Sequence, residues 1–312
     1  MSQPAEAKVP IEPREQYRWA RQDCPICELP PTKFLGKRGG AAHRTCLGVE
    51  CDIWRCDRCG LVFPNPMPVP TSGLEQHYNL NADDYFQHHD RGAKTTNAHE
   101  FLAQAELLSG RKGRLLDIGS GRGELLRAAA EEGWEAIGID SSPQFAKYAA
   151  EYSGATVIPK PVEECHFDDG MFDIVILAAV LEHLYTPDDT IREVARILRK
   201  GGALFVDVPN EAGLYFRAGN LYERIRGRNW VVNLAPTFPP YHLFGFTPRS
   251  LKALLAKHGL KPARWRVYGG QAMVPSTAGL IGKLEQTGAR VITAMSEIGS
   301  FGTYIETWAI RS

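Results

Sequence analysis

Apolar residues along this chain repeat with two alternating periods. Leu115, Leu116 and Ile118 make a short strand-like run. After the loop Gly119-Ser-Gly-Arg-Gly123, Leu125, Leu126, Ala129 and Ala130 recur at helical spacing as far as Gly133. Residues 134–140 give a second strand. Ser142 then caps a helix with Pro143 at its first position and Gly154 at its end. Residues 155–158 read as a third strand. Residues 172–177 read as a fourth, apolar on both faces as a central strand should be. Thr186 and Pro187 open a helix with a stripe of Ile191, Val194, Ala195 and Leu198, which Gly201 ends. Residues 203–208 form a fifth strand. Thr247-Pro248 starts a helix through Leu251, Leu254 and Leu255 to Gly259, and strands over 262–268 and 302–310 flank a helix over 277–297. Such alternation predicts an α/β fold with a doubly wound, mostly parallel seven-stranded sheet. Upstream, residues 94–109 read as a helix leading into the first strand. A further helix is expected within 73–89. The prolines of Leu61-Val-Phe-Pro-Asn-Pro66 hold that stretch extended.

Composition narrows the class. The chain has 312 residues, enough for one large α/β domain and a small module. Lys+Arg and Asp+Glu both number 36, so the net charge is zero and gives no electrostatic sign of nucleic-acid binding. Residues 1–19 are polar, lack an apolar signal core and are expected to form a disordered tail. The longest apolar run, residues 174–181, is too short to span a bilayer. The expectation is a cytoplasmic protein without a membrane span.

A strand, a glycine loop and a helix in that order bring backbone N–H groups and a helix N-terminus up to a ligand. The dinucleotide pattern G-x-G-x-x-G would need glycine at position 124, which is Glu124, and no Gly-Lys-Ser/Thr follows to make a phosphate loop. Seventeen residues beyond Gly123, Asp140 ends the second strand, where a carboxylate can accept both hydroxyls of a ribose. Asp117 ends the first strand. Two acids suit a ligand with a ribose and a cationic amine better than a pyrophosphate.

With these residues in view, the chain resembles the class I S-adenosylmethionine-dependent methyltransferases. The likeness rests on residues 115–123, Gly138-Ile-Asp140, Phe172-Asp-Ile-Val-Ile-Leu177, Leu181-Glu-His183 and Leu198-Arg-Lys-Gly-Gly202, in order over roughly 110–312. It implies a Rossmann-like methyltransferase fold with the last strand antiparallel. It also implies a cofactor held by Asp117, Gly119, Ser120, Gly121, Gly123, Asp140 and Ser141, with Val162 and Glu163 flanking the adenine. Cys165-His166-Phe167 stands where the family commonly has Leu-Pro-Phe, and His166 reads as a surface side chain. The run from Cys56 through Pro66 to Tyr85-Phe86 is similar to small-molecule methyltransferases with an N-terminal zinc ribbon. That similarity puts Tyr85 on a lid over the cofactor; a core aromatic is the other reading.

Cys24-Pro-Ile-Cys27 and Cys56-Asp-Arg-Cys59 can supply four thiolates to one structural Zn²⁺. The 28 residues between the pairs exceed the usual 15–20, so the first hairpin must carry an insertion. Cys46 and Cys51 lie in it as alternative ligands. The expected organisation is a tail over 1–19, a zinc ribbon over 20–66, linker and lid helices over 67–109, and the methyltransferase domain over 110–312.

Within that domain, residues 209–246 form a long connection without predicted regular structure, rich in aromatics and carrying Arg217, Arg224, Arg226 and Arg228. It reads as the cover of the acceptor site, its arginines either a solvated helix face or a clamp on an acceptor phosphate or carboxylate. A hydroxyl acceptor needs a base. His183, just beyond the fourth strand, and His242, in Tyr241-His-Leu-Phe-Gly-Phe-Thr-Pro248, are the candidates. Some quinone-pathway relatives bind a metal through Glu-x-x-Glu-His; the first Glu is Ala179 in this chain. The leading expectation is methylation of a small-molecule hydroxyl, on a sugar, polyketide-like or phenolic acceptor. An RNA methyltransferase gripping nucleic acid with the ribbon, and a non-catalytic cofactor-binding protein, are the alternatives.

Overall fold

A computed structural model describes residues 14–72, 93–269, 279–296 and 301–312. The helix expected within 73–89 and the position of Tyr85 lie outside the described residues. The N-terminal part is built from short strands. β1 (Tyr17–Ala20) pairs antiparallel with β5 (Met67–Pro70), and β2 (Lys33–Arg38), β3 (Cys51–Arg55) and β4 (Val62–Pro64) form a three-stranded antiparallel sheet. The insertion expected from the cysteine spacing is the connection between β2 and β3.

The chain continues through α1 (Ala93–Ser109), β6 (Arg114–Ile118), α2 (Glu124–Glu131), β7 (Glu135–Ile139), α3 (Pro143–Ser153), β8 (Thr156–Ile158), β9 (Phe172–Ala178), α4 (Pro187–Ile197), β10 (Leu198–Pro209), α5 (Leu214–Ile225), α6 (Pro248–Lys257), β11 (Leu260–Tyr268), α7 (Gly279–Ser296) and β12 (Tyr304–Arg311). Seven strands form one sheet in the order β11-β12-β10-β9-β6-β7-β8. β8, β7, β6, β9 and β10 run parallel, and β12 is antiparallel to both β10 and β11. The doubly wound sheet is as the sequence pattern predicts, and its antiparallel last strand is as the family resemblance implies.

Strand alternation divides the core in two. Leu116, Val175, Leu177, Leu204 and Val206 face one layer with Ile191, Val194, Leu251 and Leu254 from α4 and α6. Leu115, Ile174, Ile176 and Phe205 face the other with Leu102, Ala105, Ala128 and Ala129 from α1 and α2. Successive side chains of a strand point to opposite faces, so a strand covered on both must be apolar throughout. This buries β6 and β9 at the middle of the sheet and fixes the loops at their carboxyl ends.

Four local expectations change. Residues 14–19, expected in a disordered tail, form the 3-10 turn Arg14–Gln16 and the first part of β1. α4 ends at Ile197 rather than at Gly201, because Leu198 already pairs with Phe172 of β9; Arg199–Gly202 then interrupts the register before Ala203 resumes it. Thr186 stands at the N-cap of α4 but its side chain makes no capping hydrogen bond. The 209–246 connection, expected without regular structure, contains α5.

Candidate active site

The glycine loop is fastened to its neighbours by backbone bonds. Gly119 N and Ser120 N both donate to the Ile139 carbonyl, at 2.8 and 3.2 Å. Ser120 Oγ donates to the carbonyls of Asp117 and Ile139. Gly119 has φ +75°, and a Cβ there would come within 2.5 Å of Val180 Cγ2, so both conformation and space demand glycine. Gly123, at φ +79°, is the N-cap of α2 and offers no side-chain cap. The first-turn N–H groups of α2 are therefore free of a capping side chain, the arrangement that receives a ligand's negative groups.

Asp140 follows β7. Its Oδ1 accepts from Ser142 N at 2.9 Å and its Oδ2 from Gly121 N at 3.3 Å, so the acid and the loop are one unit. Burial pushes its carboxyl up to about 6, against the lowering effect of those two bonds. Each carboxylate oxygen retains acceptor capacity beyond its single backbone donor. Asp117 is buried at the end of β6, and Ser141 is half-buried beside Asp140. Val162 is buried in a 3-10 turn beyond β8, and Glu163 accepts from Thr190 Oγ1 of α4. His166 is exposed. All the described candidates of the cofactor set thus lie at or beyond the carboxyl ends of adjacent parallel strands, the usual ligand side of such sheets.

The other half of the site begins at β9. Val180, which lies against Gly119, is followed by the 3-10 turn Leu181–His183. The rings of His183 and His242 meet edge to face with centroids 4.8 Å apart. What joins them is backbone: Leu243 N and Phe244 N both donate to the Glu182 carbonyl, at 2.8 and 3.1 Å. The Glu182 side chain is buried, with Oε1 3.8 Å from His183 Nε2 and 3.9 Å from His242 Nε2. Its Oε2 has no hydrogen-bond partner among the described residues. Burial pushes Glu182 up to about 8 and lowers His183 to about 4 and His242 to about 3. All three are therefore neutral near pH 7. A neutral His183 that donates Nδ1–H to the Tyr241 carbonyl, 3.3 Å away, carries its lone pair on Nε2.

Glu182, His183 and His242 also bring three ligand-type atoms within 4.8 Å, a set that could hold a metal ion. His242 joins from another segment the pair that the sequence motif leaves incomplete at Ala179. Glu182 was not among the expected site residues; its signal was its place as the second Glu of the Glu-x-x-Glu-His pattern that Ala179 leaves incomplete. Sequence reasoning also missed Asp207 at the end of β10, whose Oδ1 accepts from the Tyr268 hydroxyl at 3.2 Å.

The arginines of the 209–246 cover do not converge. Arg228 pairs with buried Glu223 and lies over the Trp230 ring, Arg226 pairs with Glu285, Arg224 donates to the Leu35 carbonyl, and Arg217 is exposed. Carboxylates such as buried Glu223 require cations of their own, which removes Arg226 and Arg228 from an acceptor clamp.

At the N-terminal end, the sulfurs of Cys24, Cys27, Cys56 and Cys59 lie within 4.8 Å of one another, with Cys24 Sγ to Cys59 Sγ at 3.6 Å. Tetrahedral Zn²⁺ with bonds of about 2.3 Å would separate its thiolates by about 3.8 Å, so the donor set fits zinc. Cys46 is exposed. Cys51 is buried in a separate cluster with Ile53 and Val62, its thiol pushed up to about 12 by burial. Neither belongs to the four-sulfur set.

A family model described as a methyltransferase domain matches residues 86–263, more than half of the chain. The ubiquinone biosynthesis O-methyltransferase of Bordetella avium is 32% identical over 159 residues, 49% of this chain and 64% of that protein. The enzyme of the same name from Cereibacter sphaeroides is 32% identical over 154 residues, 48% and 60% of the two chains. The chain thus spans less than two thirds of these relatives' length. An S-adenosylmethionine-dependent methyltransferase from Archaeoglobus fulgidus shares the fold, with a TM-score of 0.51 at 18% identity over 74% of this chain and all of the other. The chain belongs to the methyltransferase-domain family.

Proposed function

We propose that this methyltransferase moves the methyl group of S-adenosylmethionine to a hydroxyl oxygen of a small molecule, with His183 as the base. The observation that carries the reading is the edge-to-face His183–His242 pair, one 3-10 turn from the residue that packs on Gly119 of the glycine loop. The site fits the cofactor on its own chemistry. Asp140 has acceptor capacity for the ribose hydroxyls, the glycine loop has no Cβ to block approach, and the uncapped start of α2 suits a carboxylate. The bound cofactor supplies an electrophilic methyl group on a sulfonium. Asp117, Ser120, Gly121, Gly123 and Ser141 complete the cradle, and Val162 and Glu163 flank the adenine.

With the cofactor bound, His183 Nε2 would take the hydroxyl proton as the acceptor oxygen bonds the methyl carbon and the carbon–sulfur bond breaks, leaving a methyl ether, S-adenosylhomocysteine and an imidazolium. Burial leaves His183 unprotonated at neutral pH but also lowers its basicity, so alignment of acceptor with methyl group supplies much of the rate. His242 orients the acceptor or serves as the alternative base. The four cysteines Cys24, Cys27, Cys56 and Cys59 hold a structural Zn²⁺, with no coordination position left open for substrate. The O-methyltransferase names of the relatives support oxygen as the acceptor atom. The test is incubation with methyl-labelled cofactor and pools of phenolic, sugar and polyketide-like hydroxyl compounds, with RNA in parallel. Label in a small-molecule methyl ether is expected; label in RNA alone contradicts the reading.

A further inference from the structure

Each cysteine pair sends a contact to one end of α6, the helix that follows His242. At its start, Thr247 caps the helix through Ser250 and its Oγ1 also reaches the Cys59 carbonyl at 3.5 Å. At its last turn, Lys257 Nζ lies 3.5 Å from the Pro25 carbonyl and 2.9 Å from Glu28 Oε1. Between these anchors, the residues leaving the second pair bind the segment that carries His242. Val62 N donates to the Gly245 carbonyl at 3.0 Å, and Gly245 N donates back to the Val62 carbonyl at 2.8 Å. Phe63 and Phe244 meet with ring centroids 5.9 Å apart, and Cys24, Cys56 and Cys59 share one core with Leu243, Phe246 and Leu251.

The 243–246 segment therefore has two edges. One hangs from the Glu182 carbonyl beside His183, and the other from Val62, three residues past Cys59. Among the described residues the glycine loop has no backbone hydrogen bond to the cysteine strands: Gly119 and Ser120 hang from Ile139, and Gly123 packs on Ala149 of α3, while Ile118 and Ile139 meet the cysteines only through the shared apolar core. The strands around the cysteines are three to six residues long. Sheets so small rely on bound metal for their folding free energy.

We propose that the four-cysteine metal site is the positioning device for His242: metal loading clamps the 242–247 segment through Val62 and Cys59, setting the acceptor side of the site while leaving the cofactor cradle untouched. The proposal rests on the reading of His183 and His242 as the acceptor-side pair, but its test does not require turnover. Hydrogen exchange is followed in the full chain as purified with zinc, after zinc removal by a thiol-compatible chelator, and after Zn²⁺ is added back. Expected is joint loss of protection in residues 59–63 and 242–247 on zinc removal and its recovery on re-addition, with residues 117–123 protected throughout and S-adenosylmethionine affinity by calorimetry unchanged. Cys59→Ser should reproduce the zinc-free pattern; if that variant does not fold, the chelation and re-addition series decides alone. Protection of 242–247 that survives zinc loss, or loss that spreads to 117–123, would overturn the proposal, as would protein that binds no zinc. Absence of methyl transfer beside the expected exchange pattern would count against the enzymatic reading and not against the clamp.

Discussion

Burial moves Glu182, His183 and His242 away from the proton affinities they would have in water. The two histidines lie below their ordinary pKa of 6.5, and Glu182 above its ordinary 4.5, because burial penalises each charged form. The signs are opposite for stability. An unfolded chain binds more protons on the histidines between pH 6.5 and about 4, so their contribution is full above pH 6.5 and is lost as pH falls through the folded values. Glu182 contributes below pH 4.5 and loses that contribution as pH rises through about 8. Between pH 6.5 and 4.5 the raised Glu182 and Asp140 oppose the two histidines, so the difference is the readout: as pH is lowered through this window, urea unfolding of a His183→Gln/His242→Gln variant should lose less stability than the wild type does. An equal slope in both would place the acid sensitivity elsewhere. At the cofactor end, Asp140→Ala should weaken S-adenosylmethionine binding by about 1.5–3 kcal/mol, since hydrogen bonds to a charged acceptor are lost; calorimetry showing unchanged affinity would remove the ribose role. Asp140 and both histidines were readable because each sits at a strand end or in a local motif. Glu182 was not, since only the return of residues 243–244 brings a second imidazole to its side chain.

Helix boundaries show which local signals decide an element. Ser142 accepts from Phe145 N, and Thr247 forms a reciprocal capping box with Ser250, so both predicted starts have their capping bonds. Thr186 has the same residue type and a following proline but no capping bond. Thr247→Ala should therefore cost about 1 kcal/mol, and Thr186→Ala about 0.5 kcal/mol or less, by urea unfolding. Equal losses would mean that the Thr247 bonds contribute nothing beyond residue type. The glycines after α4 misled the sequence reading for a physical reason. A C-terminal glycine signal is local, whereas Leu198 is claimed by pairing with Phe172 far away in sequence. In the 209–246 connection the aromatics drew attention to a cover, but α5 and the ion pairs of its arginines depend on Glu223 and Glu285, which no spacing rule links to them.

For the molecule as a whole, alternating strand and helix patterns were enough to predict the seven-stranded sheet, because each crossover is local and its handedness leaves few arrangements. The contacts of the cysteine pairs with α6 were not readable, as they join residues about two hundred positions apart. The four-sulfur set predicts one Zn²⁺ per chain in protein purified without chelator. Elemental analysis should find it, and Cys56→Ser with Cys59→Ser should abolish it; zinc retained in that variant would move the site to Cys46 and Cys51. Among the described residues no helix is long and apolar enough to cross a membrane.

The central claim is that His183 takes the proton of a hydroxyl acceptor beside an intact cofactor cradle. Turnover of His183→Ala on the acceptor identified by the labelling screen, measured across pH at saturating S-adenosylmethionine, tests it most directly. The account predicts a loss of about 10²–10⁴-fold, disappearance of the wild type's acidic limb, and cofactor affinity equal to the wild type by calorimetry. A variant that keeps full turnover, or one that fails only because it no longer binds the cofactor, would contradict it.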